Sequence, residues 1–292
     1  MSDIIDTFIH ITDLHFWEVV RNPLLLLNKR IMGNTNVYLK RRHEFDMERA
    51  RPYLDHAASL GIGELICTGD FASTSTEGEF ARGAEWMRYA ESKGFHCTAI
   101  PGNHDVYTFA SVRGKRFEHH YNEWLPGPDL PCIQSLPGGT PVLYVPTVCA
   151  NWFSSQGRIS HDEVQRTAEL LQPLEGPVVV AGHYPLLNKT CNYIVNPNRQ
   201  LRNAEALRRI LGESGKTILY CCGHVHRFNF EHDPDYGNVT HLTTGAFFRT
   251  AHESDSEGEF SEVRIVRNGF KVVRHVKRTE WETHSASETM SP

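Results

Sequence analysis

The stretch HCTAIPGNHD, residues 96–105, consists of an apolar half followed by a polar half. Its first five residues have the β-branched and apolar character of a short buried strand, which we expect to span His96–Ile100. The Pro-Gly pair that follows is typical of the end of a strand and a turn. The polar residues Asn103–Asp105 come directly after it. The stretch therefore predicts a strand that delivers polar side chains to the carboxyl edge of a sheet, where open α/β sheets bind their ligands.

Four other apolar runs along the chain end in the same way. Each is followed by a short motif of Asp or His, in most cases after a glycine that lets the backbone turn sharply. The four motifs are Asp13-Leu14-His15, Gly69-Asp70, Gly182-His183 and Gly223-His224-Val225-His226. With residues 103–105 they supply three carboxylates, one carboxamide and five imidazoles. This set is large enough for two adjacent metal ions and a separate proton donor.

Helical segments separate the strands through most of the chain. The predicted strands are Thr7–Thr12, Glu64–Thr68, His96–Ile100, Val142–Val148, Val178–Ala181, Thr217–Cys221, Val239–Thr243, Phe260–Val266 and Phe270–Val276. The predicted helices are Glu44–Leu60, Glu79–Lys93, 160–171 and Ala204–Leu211. Pro52 should mark a kink or a new first turn in the first helix, and Asn268-Gly269 is a hairpin signal. Alternating strands and helices predict an α/β fold in which helices cover the sheets.

Length and composition limit the class of protein. With 292 residues and 40% apolar content we expect one domain over residues 1–278, followed by a polar, disordered tail at 279–292. The net charge of −5 gives no general reason to expect nucleic acid as a partner. The first residues lack a signal-peptide pattern, no apolar run could span a membrane, and the seven cysteines include no CxxC pair. These features predict a cytoplasmic protein with reduced thiols.

The residue types in the motifs suit a two-metal centre. Carboxylate and amide oxygens bind hard ions, and imidazole binds Zn, Fe, Mn or Co. Asp13 and His15 lie two positions apart after a strand, so both can turn toward one ion. Asp70 has two carboxylate oxygens with which to bridge two ions. The remaining ligand candidates are Asn103, through its carbonyl oxygen, and His183, His224 and His226. We therefore expect two divalent ions, drawn from Mn, Fe, Zn and Co.

One imidazole and one carboxylate remain after the ligands are assigned. Two ions about 3.5–4 Å apart clamp the oxygens of an in-line displacement at phosphorus and lower the pKa of a bound water to about 7. His104 is then available to protonate the leaving alkoxide. Asp105, the next residue, is expected to hold the tautomer of His104. These two residues are the predicted catalytic pair.

The ordered motif set resembles the calcineurin-like metallophosphoesterase superfamily, whose pattern is DxH, GD, GNH(D/E), GH and GHxH. All five elements are present between Asp13 and His226. The resemblance implies a four-layer α/β/β/α sandwich of two mixed sheets flanked by helices. It also implies two sets of metal ligands that share Asp70. One set is Asp13, His15, Asp70 and His226, and the other is Asp70, Asn103, His183 and His224.

Two positions narrow the branch within that superfamily. Purple acid phosphatases have a ferric-iron Tyr three residues after the bridging Asp, and here that position is Ser73. The Asp105 that follows the GNH element suits phosphodiesterases, including class III cyclic nucleotide phosphodiesterases. The resemblance thus implies a phosphodiesterase acting on a small-molecule or lipid-linked phosphate ester. The alternatives are a phosphomonoesterase, such as a protein phosphatase or nucleotidase, and a non-catalytic interaction scaffold. A nuclease is disfavoured because the chain is acidic.

Residues 17–43 form a basic, leucine-rich insertion after the first motif. Four leucines at 24–27 are followed by basic residues at 29–30 and 40–42, and no acidic residue lies between Glu18 and Glu44. One interpretation is a helical cap that packs its leucines on the body and exposes its basic face. The other is a flap that contacts an anionic membrane surface through residues 21–42, peripherally at the inner membrane. Arg158 and Arg249 lie in loops from which each could pair with a phosphate.

Overall fold

Two six-stranded sheets form the centre of the molecule. The structure is a computed structural model that describes residues 4–20, 30–152, 154–190, 193–250 and 256–286. In chain order the strands are β1 (Ile4–Ile11), β2 (Glu64–Cys67), β3 (His96–Ala99), β4 (Cys132–Ser135), β5 (Pro141–Tyr144), β6 (Gly157–Arg158), β7 (Val178–Ala181), β8 (Lys189–Thr190), β9 (Tyr193–Ile194), β10 (Leu201–Arg202), β11 (Ile218–Cys222), β12 (Asn229–His232), β13 (Val239–Thr243), β14 (Gly258–Val266), β15 (Gly269–Lys277) and β16 (Trp281–Ala286). The α-helices are α1 (Arg30–Asn36), α2 (Arg42–Glu44), α3 (Ala50–Ser59), α4 (Glu77–Ser92), α5 (Phe109–Arg113), α6 (Arg116–Tyr121), α7 (His161–Leu171) and α8 (Ala204–Glu213). Short 3₁₀ turns are Met47–Arg49, Asn122–Trp124 and Pro197–Arg199, and a π-helical turn is Val37–Arg41.

The first sheet has the strand order β16-β15-β14-β1-β2-β3. Strands β1, β2 and β3 are parallel, because helices connect them, and β14 pairs antiparallel with β1. The predicted hairpin is confirmed. Val266 pairs with Gly269, so the two-residue turn is Arg267-Asn268 and Gly269 begins the next strand.

The last described strand corrects the expectation of a disordered tail from residue 279. Trp281–Ala286 forms β16, in which Trp281 lies opposite Lys277 and Ala286 opposite Val272. The strand is at the edge of the sheet and is largely exposed, so its residues are polar although they are ordered. Composition alone cannot distinguish such an edge strand from a tail. Residues 287–292 lie outside the described residues.

The second sheet has the order β12-β13-β11-β7-β5-β4. Its four central strands are parallel, and an antiparallel strand lies at each edge. The strand expected over Val142–Val148 is shorter than predicted, because β5 ends at Tyr144. Pro146 lacks the N–H that would continue the ladder, which explains the early end.

Apolar side chains from the two sheets meet in a shared buried layer. Phe8 and Val263 come from the first sheet, and Val179 and Leu219 come from the second, all four fully buried. Helices α3 and α4 pack on the outer face of the first sheet, and α7 and α8 pack on that of the second. Burial of each such side chain contributes about 1.5–3 kcal/mol to the free energy of unfolding. The helix–sheet–sheet–helix order confirms the four-layer sandwich.

Helix starts follow their capping signals. The Ser160 hydroxyl accepts from the Glu163 amide at 3.2 Å, and the Glu163 carboxylate accepts from the Ser160 amide at 2.6 Å, so a capping box starts the helix predicted over 160–171. A second box, Thr76 with Glu79, starts α4 at Glu77, two residues before the predicted start. The predicted helix Glu44–Leu60 is in fact α3 preceded by a 3₁₀ turn. Pro52 therefore lies in a new first turn, as one of the two alternatives had it.

The described part of the insertion is helical, which is compatible with both interpretations. α1, the π-helical turn and α2 follow one another without a break, and Val37 is buried. Gly33 allows this segment to approach the body closely, because a Cβ there would lie 2.8 Å from Thr74 Cγ2 and 2.9 Å from Tyr107 Oη. The leucines at 24–27 lie outside the described residues. None of the described helices is long and apolar enough to cross a membrane.

Candidate metal centre

The carboxyl ends of strands from both sheets bring the seven predicted metal ligands together. Strands β1, β2 and β3 of the first sheet and β7 and β11 of the second each end directly before a motif. Six of the side chains are buried, and His226 is half-buried. The ligand candidates are Asp13, His15, Asp70, Asn103, His183, His224 and His226.

The backbone at these motifs adopts the left-handed region that non-glycine residues rarely occupy. Five of the seven candidates have positive φ, namely Asp13 at 55°, His15 at 50°, Asp70 at 60°, His224 at 69° and His226 at 56°. Such conformations cost about 1–3 kcal/mol each and cluster at functional sites, where the surrounding structure enforces them. The backbone is therefore strained where the predicted ligands lie.

A close approach of two turns sets the spacing between the second and third motifs. A Cβ on Gly102 would lie 2.2 Å from the Asp70 amide nitrogen, and one on Gly69 would lie 2.3 Å from the Gly102 nitrogen. Both positions therefore require glycine. The contact places the bridging carboxylate next to Asn103 and His104.

The first ligand cluster contains Asp13, His15 and His226. Asp13 Oδ1 lies 3.1 Å from His226 Nε2 and 3.6 Å from His15 Nε2, and the two imidazole nitrogens are 3.0 Å apart. Oδ1 is buried without a hydrogen-bond donor, whereas Oδ2 accepts from the Thr12 hydroxyl and the His224 amide at 2.9 Å each. A buried carboxylate oxygen that faces two imidazole nitrogens, with no donor of its own, fits a shared cation.

The second ligand cluster contains Asp70, Asn103, His183 and His224. The Asn103 carbonyl oxygen lies 2.8 Å from His224 Nδ1 and 3.1 Å from His183 Nε2. His183 Nε2 lies 3.4 Å from Asp70 Oδ2. Backbone carbonyls hold the far nitrogens of both rings, since Thr68 accepts from His183 Nδ1 at 2.8 Å and Arg199 accepts from His224 Nε2 at 2.9 Å. These bonds leave the inward nitrogens as lone-pair donors for an ion.

One oxygen of Asp70 faces both clusters. Oδ2 lies 3.6 Å from His15 Nε2 and 3.4 Å from His183 Nε2, while Oδ1 accepts from the His104 amide at 2.7 Å. Burial alone would raise the pKa of Asp70, but His183 and His104 hold it well below its usual range. Burial would likewise lower the pKa of His183, but Asp70 raises it to about 9. The carboxylate is therefore ionised and shared between the clusters, as a bridging ligand must be.

His104 lies beside the first cluster with its Nδ1 fixed. Nδ1 donates to the Ser73 carbonyl at 2.7 Å, and the ring stacks on Tyr107. The other nitrogen, Nε2, therefore faces the cavity. Burial, with help from Arg41 and His15, holds the pKa of His104 well below its usual range.

The role expected of Asp105 is wrong. Its two oxygens accept from four backbone amides, and none of these contacts involves the His104 ring. The donors are the amides of Asp70 (2.8 Å), Phe71 (3.2 Å), Ala72 (2.8 Å) and Gly102 (2.8 Å). Asp105 thus holds the turns that carry the second and third motifs. The carbonyl of Ser73, which side-chain motifs do not reveal, sets the tautomer of His104 instead.

Sequence reasoning missed Arg41, which the insertion delivers into the centre. Its Nη1 lies 2.9 Å from His15 Nδ1 and its Nη2 lies 2.8 Å from His104 Nε2. Among the residues that the structure describes, no carboxylate pairs with it within 4.0 Å. The run Lys40-Arg41-Arg42 was visible in the sequence, but helical phase alone did not tell which of its members turns inward.

A cavity of about 710 Å³ opens over both clusters. Six cationic and three acidic side chains line it. The cations are Lys40, Arg41, Arg199, Arg227, Arg249 and Arg274, and the acids are Glu44, Asp70 and Glu259. Of the two loop arginines considered as phosphate partners, Arg249 lines this cavity, whereas Arg158 lines a separate groove. An excess of cations beside a metal centre favours anionic ligands such as phosphate esters.

Comparison with known proteins agrees with this geometry. The chain is similar in fold to a dimetal phosphatase from Danio rerio, at 13% identity and a TM-score of 0.63, over 98% of this chain and 100% of that one. It is also similar to a purple acid phosphatase from yellow lupin, at 10% identity and a TM-score of 0.60, over 99% of this chain and 54% of that one. A 5′-nucleotidase from Candida albicans matches at 16% identity and a TM-score of 0.50, over 93% and 51% of the two chains.

The sequence comparison adds a family to this likeness of fold. No curated protein matches the chain. The family model of calcineurin-like phosphoesterases matches residues 7–228, a span that contains all five motifs. That family binds two divalent metals, and the Asp and His clusters of this chain fit a two-metal centre. The chain therefore belongs to the calcineurin-like phosphoesterase family.

Proposed function

We propose that this metal-dependent phosphoester hydrolase is a phosphodiesterase that attacks phosphorus in line with a metal-activated water. The observation that carries the proposal is the position of Asp70 Oδ2 between the two clusters, with His104 beside them. Two divalent ions, when bound by the seven ligands, supply water activation and charge neutralisation at the phosphate. The other steps belong to the protein's own side chains.

His104 acts as the proton donor to the leaving alkoxide in its doubly protonated form, which gives up the proton on Nε2 and keeps the proton on Nδ1. The negative charge of a bound phosphate beside the ring favours this charged form. Because the Ser73 carbonyl holds the proton at Nδ1, only Nε2 can exchange a proton with a ligand in the cavity. The ring is buried and stacked, so its position does not depend on the substrate. A single fixed donor is sufficient for the one alkoxide that leaves in each turnover, whether the ester is a diester or a monoester.

Arg41 binds an oxygen of the substrate phosphate. His15 faces both carboxylates with Nε2, so as a metal ligand it keeps its proton at Nδ1 and cannot accept a hydrogen bond from Arg41 Nη1. A phosphate oxygen is an acceptor of the right charge for that guanidinium. Its position between His15 and His104 spans the space where the phosphate would lie.

The main alternative is a phosphomonoesterase, which the same ligands could support. The six cations of the cavity suit the greater charge of a monoester. A non-catalytic scaffold is disfavoured because every ligand of the family pattern and the proton donor are present. The metals remain open among Mn, Fe, Zn and Co, and the ester among small-molecule and lipid-linked compounds.

A comparison of two nitrophenyl esters tests the proposal. With Mn²⁺ present, we expect turnover of bis(p-nitrophenyl) phosphate to exceed that of p-nitrophenyl phosphate, and Asp70→Asn to abolish both by weakening both metal sites. A preference for the monoester would favour the phosphomonoesterase. A protein that binds metal but turns over neither ester, nor any ester in a wider screen of nucleotides and phospholipids, would favour the scaffold.

A further inference from the structure

Exposed apolar side chains concentrate around the opening of the cavity. Among the described residues, ten large apolar side chains are exposed, and seven of them lie on four segments that we call the mouth segments: 30–43, 106–116, 149–158 and 188–202. The seven are Ile31, Tyr38, Leu39, Phe109, Val112, Trp152 and Ile194. Leu39, Trp152 and Ile194 are the most exposed, at 68%, 63% and 72%. Exposed apolar residues grouped in this way mark an interaction surface.

Each mouth segment borders the metal centre or the groove beside it. The first contributes Lys40 and Arg41 to the cavity lining, the third contributes Ser155, and the fourth contributes Tyr193 and Arg199. The second segment follows His104 directly in the chain. Its Phe109 contacts Trp152 of the third segment, with ring centroids 5.0 Å apart. Three of the segments therefore border the metal-centre cavity, and the second borders the groove lined by Arg158.

The mouth segments contain no acidic residue. They carry eleven Lys and Arg, whereas the rest of the chain carries 19 Lys and Arg against 35 Asp and Glu. Lys40, Arg113, Lys115, Arg158 and Lys189 are all exposed. In a chain of net charge −5, the segments that border the cavity and the groove beside it are thus strongly positive.

We propose that the mouth segments dock on an anionic lipid bilayer, with the metal centre facing the membrane. Apolar side chains enter the boundary between headgroups and acyl chains, and cations are attracted by the negative surface potential. A second copy of the chain fits this surface poorly, because pairing the same face would bring its exposed cations against those of the partner. Nucleic acid would match the charge and could stack on Tyr38, Phe109 and Trp152, but Leu39 and Ile194, two of the three most exposed side chains, offer it no stacking partner.

Docking in this orientation would also indicate the class of substrate, and this inference rests on the proposed function. A phosphoester in the bilayer surface would present its headgroup to the cavity without leaving the membrane. The substrate class that follows is an amphiphilic phosphodiester with its polar group at the lipid–water boundary. The proposal takes up the second interpretation of residues 21–42, a contact with an anionic membrane, and extends it to three further segments. Residues 21–29 lie outside the described part of the chain.

Vesicle flotation of the full chain tests the docking without any assay of activity. The probes are vesicles of phosphatidylcholine alone and of phosphatidylcholine mixed with phosphatidylglycerol. We expect the bound fraction to rise with the anionic lipid and to fall as salt is added. The apolar variant Leu39→Ser/Trp152→Ser/Ile194→Ser and the charge variant Lys40→Gln/Arg42→Gln should each lower the partition coefficient about tenfold or more.

A matched control changes the same residue types at the other end of the first sheet. Ile4 is exposed at the start of β1, and Arg267 is exposed in the turn between β14 and β15, opposite the end that carries the motifs. Ile4→Ser/Arg267→Gln should bind vesicles as the unchanged chain does. Thermal unfolding of every variant checks that the fold is retained. Turnover of the water-soluble bis(p-nitrophenyl) phosphate should be unchanged in the apolar variant, because its residues do not touch the centre.

The outcomes separate the docking from the proposed function. Hydrolysis of diesters without flotation on anionic vesicles would overturn the docking and leave the proposed function intact. Equal flotation of the apolar variant and the unchanged chain would have the same meaning. Flotation without hydrolysis of any ester overturns the function and supports the docking. Tight binding of single-stranded nucleic acid without flotation, or a concentration-dependent dimer lost in the apolar variant, would assign the surface to those partners instead.

Discussion

Two terminal nitrogens of a single arginine link the insertion to the catalytic groups. Arg41 contacts His15 and His104, and the same contacts depend on where each ring carries its proton. Both rings have a backbone carbonyl near Nδ1, that of Ala72 for His15 and that of Ser73 for His104. The fixed protons make Nε2 the working atom of each ring. The chemistry of the centre is thus set by backbone carbonyls as much as by the side chains of the motifs.

Replacing His104 should affect the chemical step and not the metals. We expect His104→Ala to lower kcat about 10²–10⁴-fold for alkyl esters, which need a protonated leaving group, and much less for nitrophenyl esters. Metal content by elemental analysis should be unchanged, because His104 is not among the seven ligands. An equal loss of kcat for both kinds of ester would contradict the role of His104 as the acid.

Replacing Arg41 should weaken phosphate binding. Arg41→Ala should lower kcat/KM about 10–100-fold and raise the inhibition constant of inorganic phosphate, because a charge-assisted hydrogen bond contributes about 1.5–3 kcal/mol. The neighbouring Arg42→Ala is the matched control, since Arg42 stacks over Tyr38 at 4.2 Å and points away from the centre. Unchanged phosphate inhibition in Arg41→Ala would show that Arg41 only fills space.

At the scale of elements, a buried ion pair holds helix α8 on the outer face of the second sheet. Asp233, which follows β12, accepts from Arg208 Nε and Nη2 of α8 at 2.6 Å each and from His241 Nε2 of β13 at 2.9 Å. All three side chains are buried. The contact joins a helix and two strands, so its loss would loosen one side of the sandwich.

This pair should make stability depend on pH in the acid range. Burial alone would raise the pKa of Asp233, but His241 and Arg208 hold it well below its usual range. A depressed carboxyl pKa stabilises the fold above the unfolded value of about 3.9, and this stabilisation is lost as pH falls below it. Asp233→Asn should therefore cost about 3–5 kcal/mol in urea unfolding at pH 7, and the difference should shrink below about pH 4.

The control for that measurement is Glu205→Gln, since Glu205 also pairs with Arg208, at 3.1 Å, but is exposed. Exposed pairs contribute about 0–1 kcal/mol, so little change is expected at either pH. An Asp233→Asn cost that stays constant from pH 7 to pH 3 would mean that shape, and not charge, makes the contact important.

At the scale of the whole molecule, the metal centre joins the two sheets. The first three motifs come from the first sheet and the last two from the second, so both halves would supply ligands to both proposed ion sites. Mn²⁺ at a hundredfold excess over its dissociation constant should stabilise the fold by about 2.7 kcal/mol. Differential scanning fluorimetry should therefore show a higher Tm with Mn²⁺ than with EDTA. Asp70→Asn should remove most of this shift, and an unchanged shift in that variant would contradict the bridge.

The sequence predicted the side chains that follow the strands, but it did not predict the contacts that other segments make with the centre. All seven ligand candidates converge because each follows a strand directly, and this adjacency is visible in the sequence. Arg41 was missed because its approach depends on how the insertion packs over Thr74 and Tyr107. The role of Asp105 was mistaken because backbone amides, its actual partners, leave no pattern in side chains. β16 was mistaken for a tail because a polar edge strand has the composition of one.

The left-handed backbone conformation at the ligand positions lowers the stability of the fold, whereas the side chains at the same positions are needed for activity. Glycine would relax Asp13, His15, Asp70, His224 and His226, each of which has positive φ. Selection or engineering for heat resistance alone would thus favour glycine at positions where hydrolysis needs Asp or His. A stabilised variant obtained without an activity screen is expected to lose its metals first, and the strain in these turns measures how much stability the protein gives up for its chemistry.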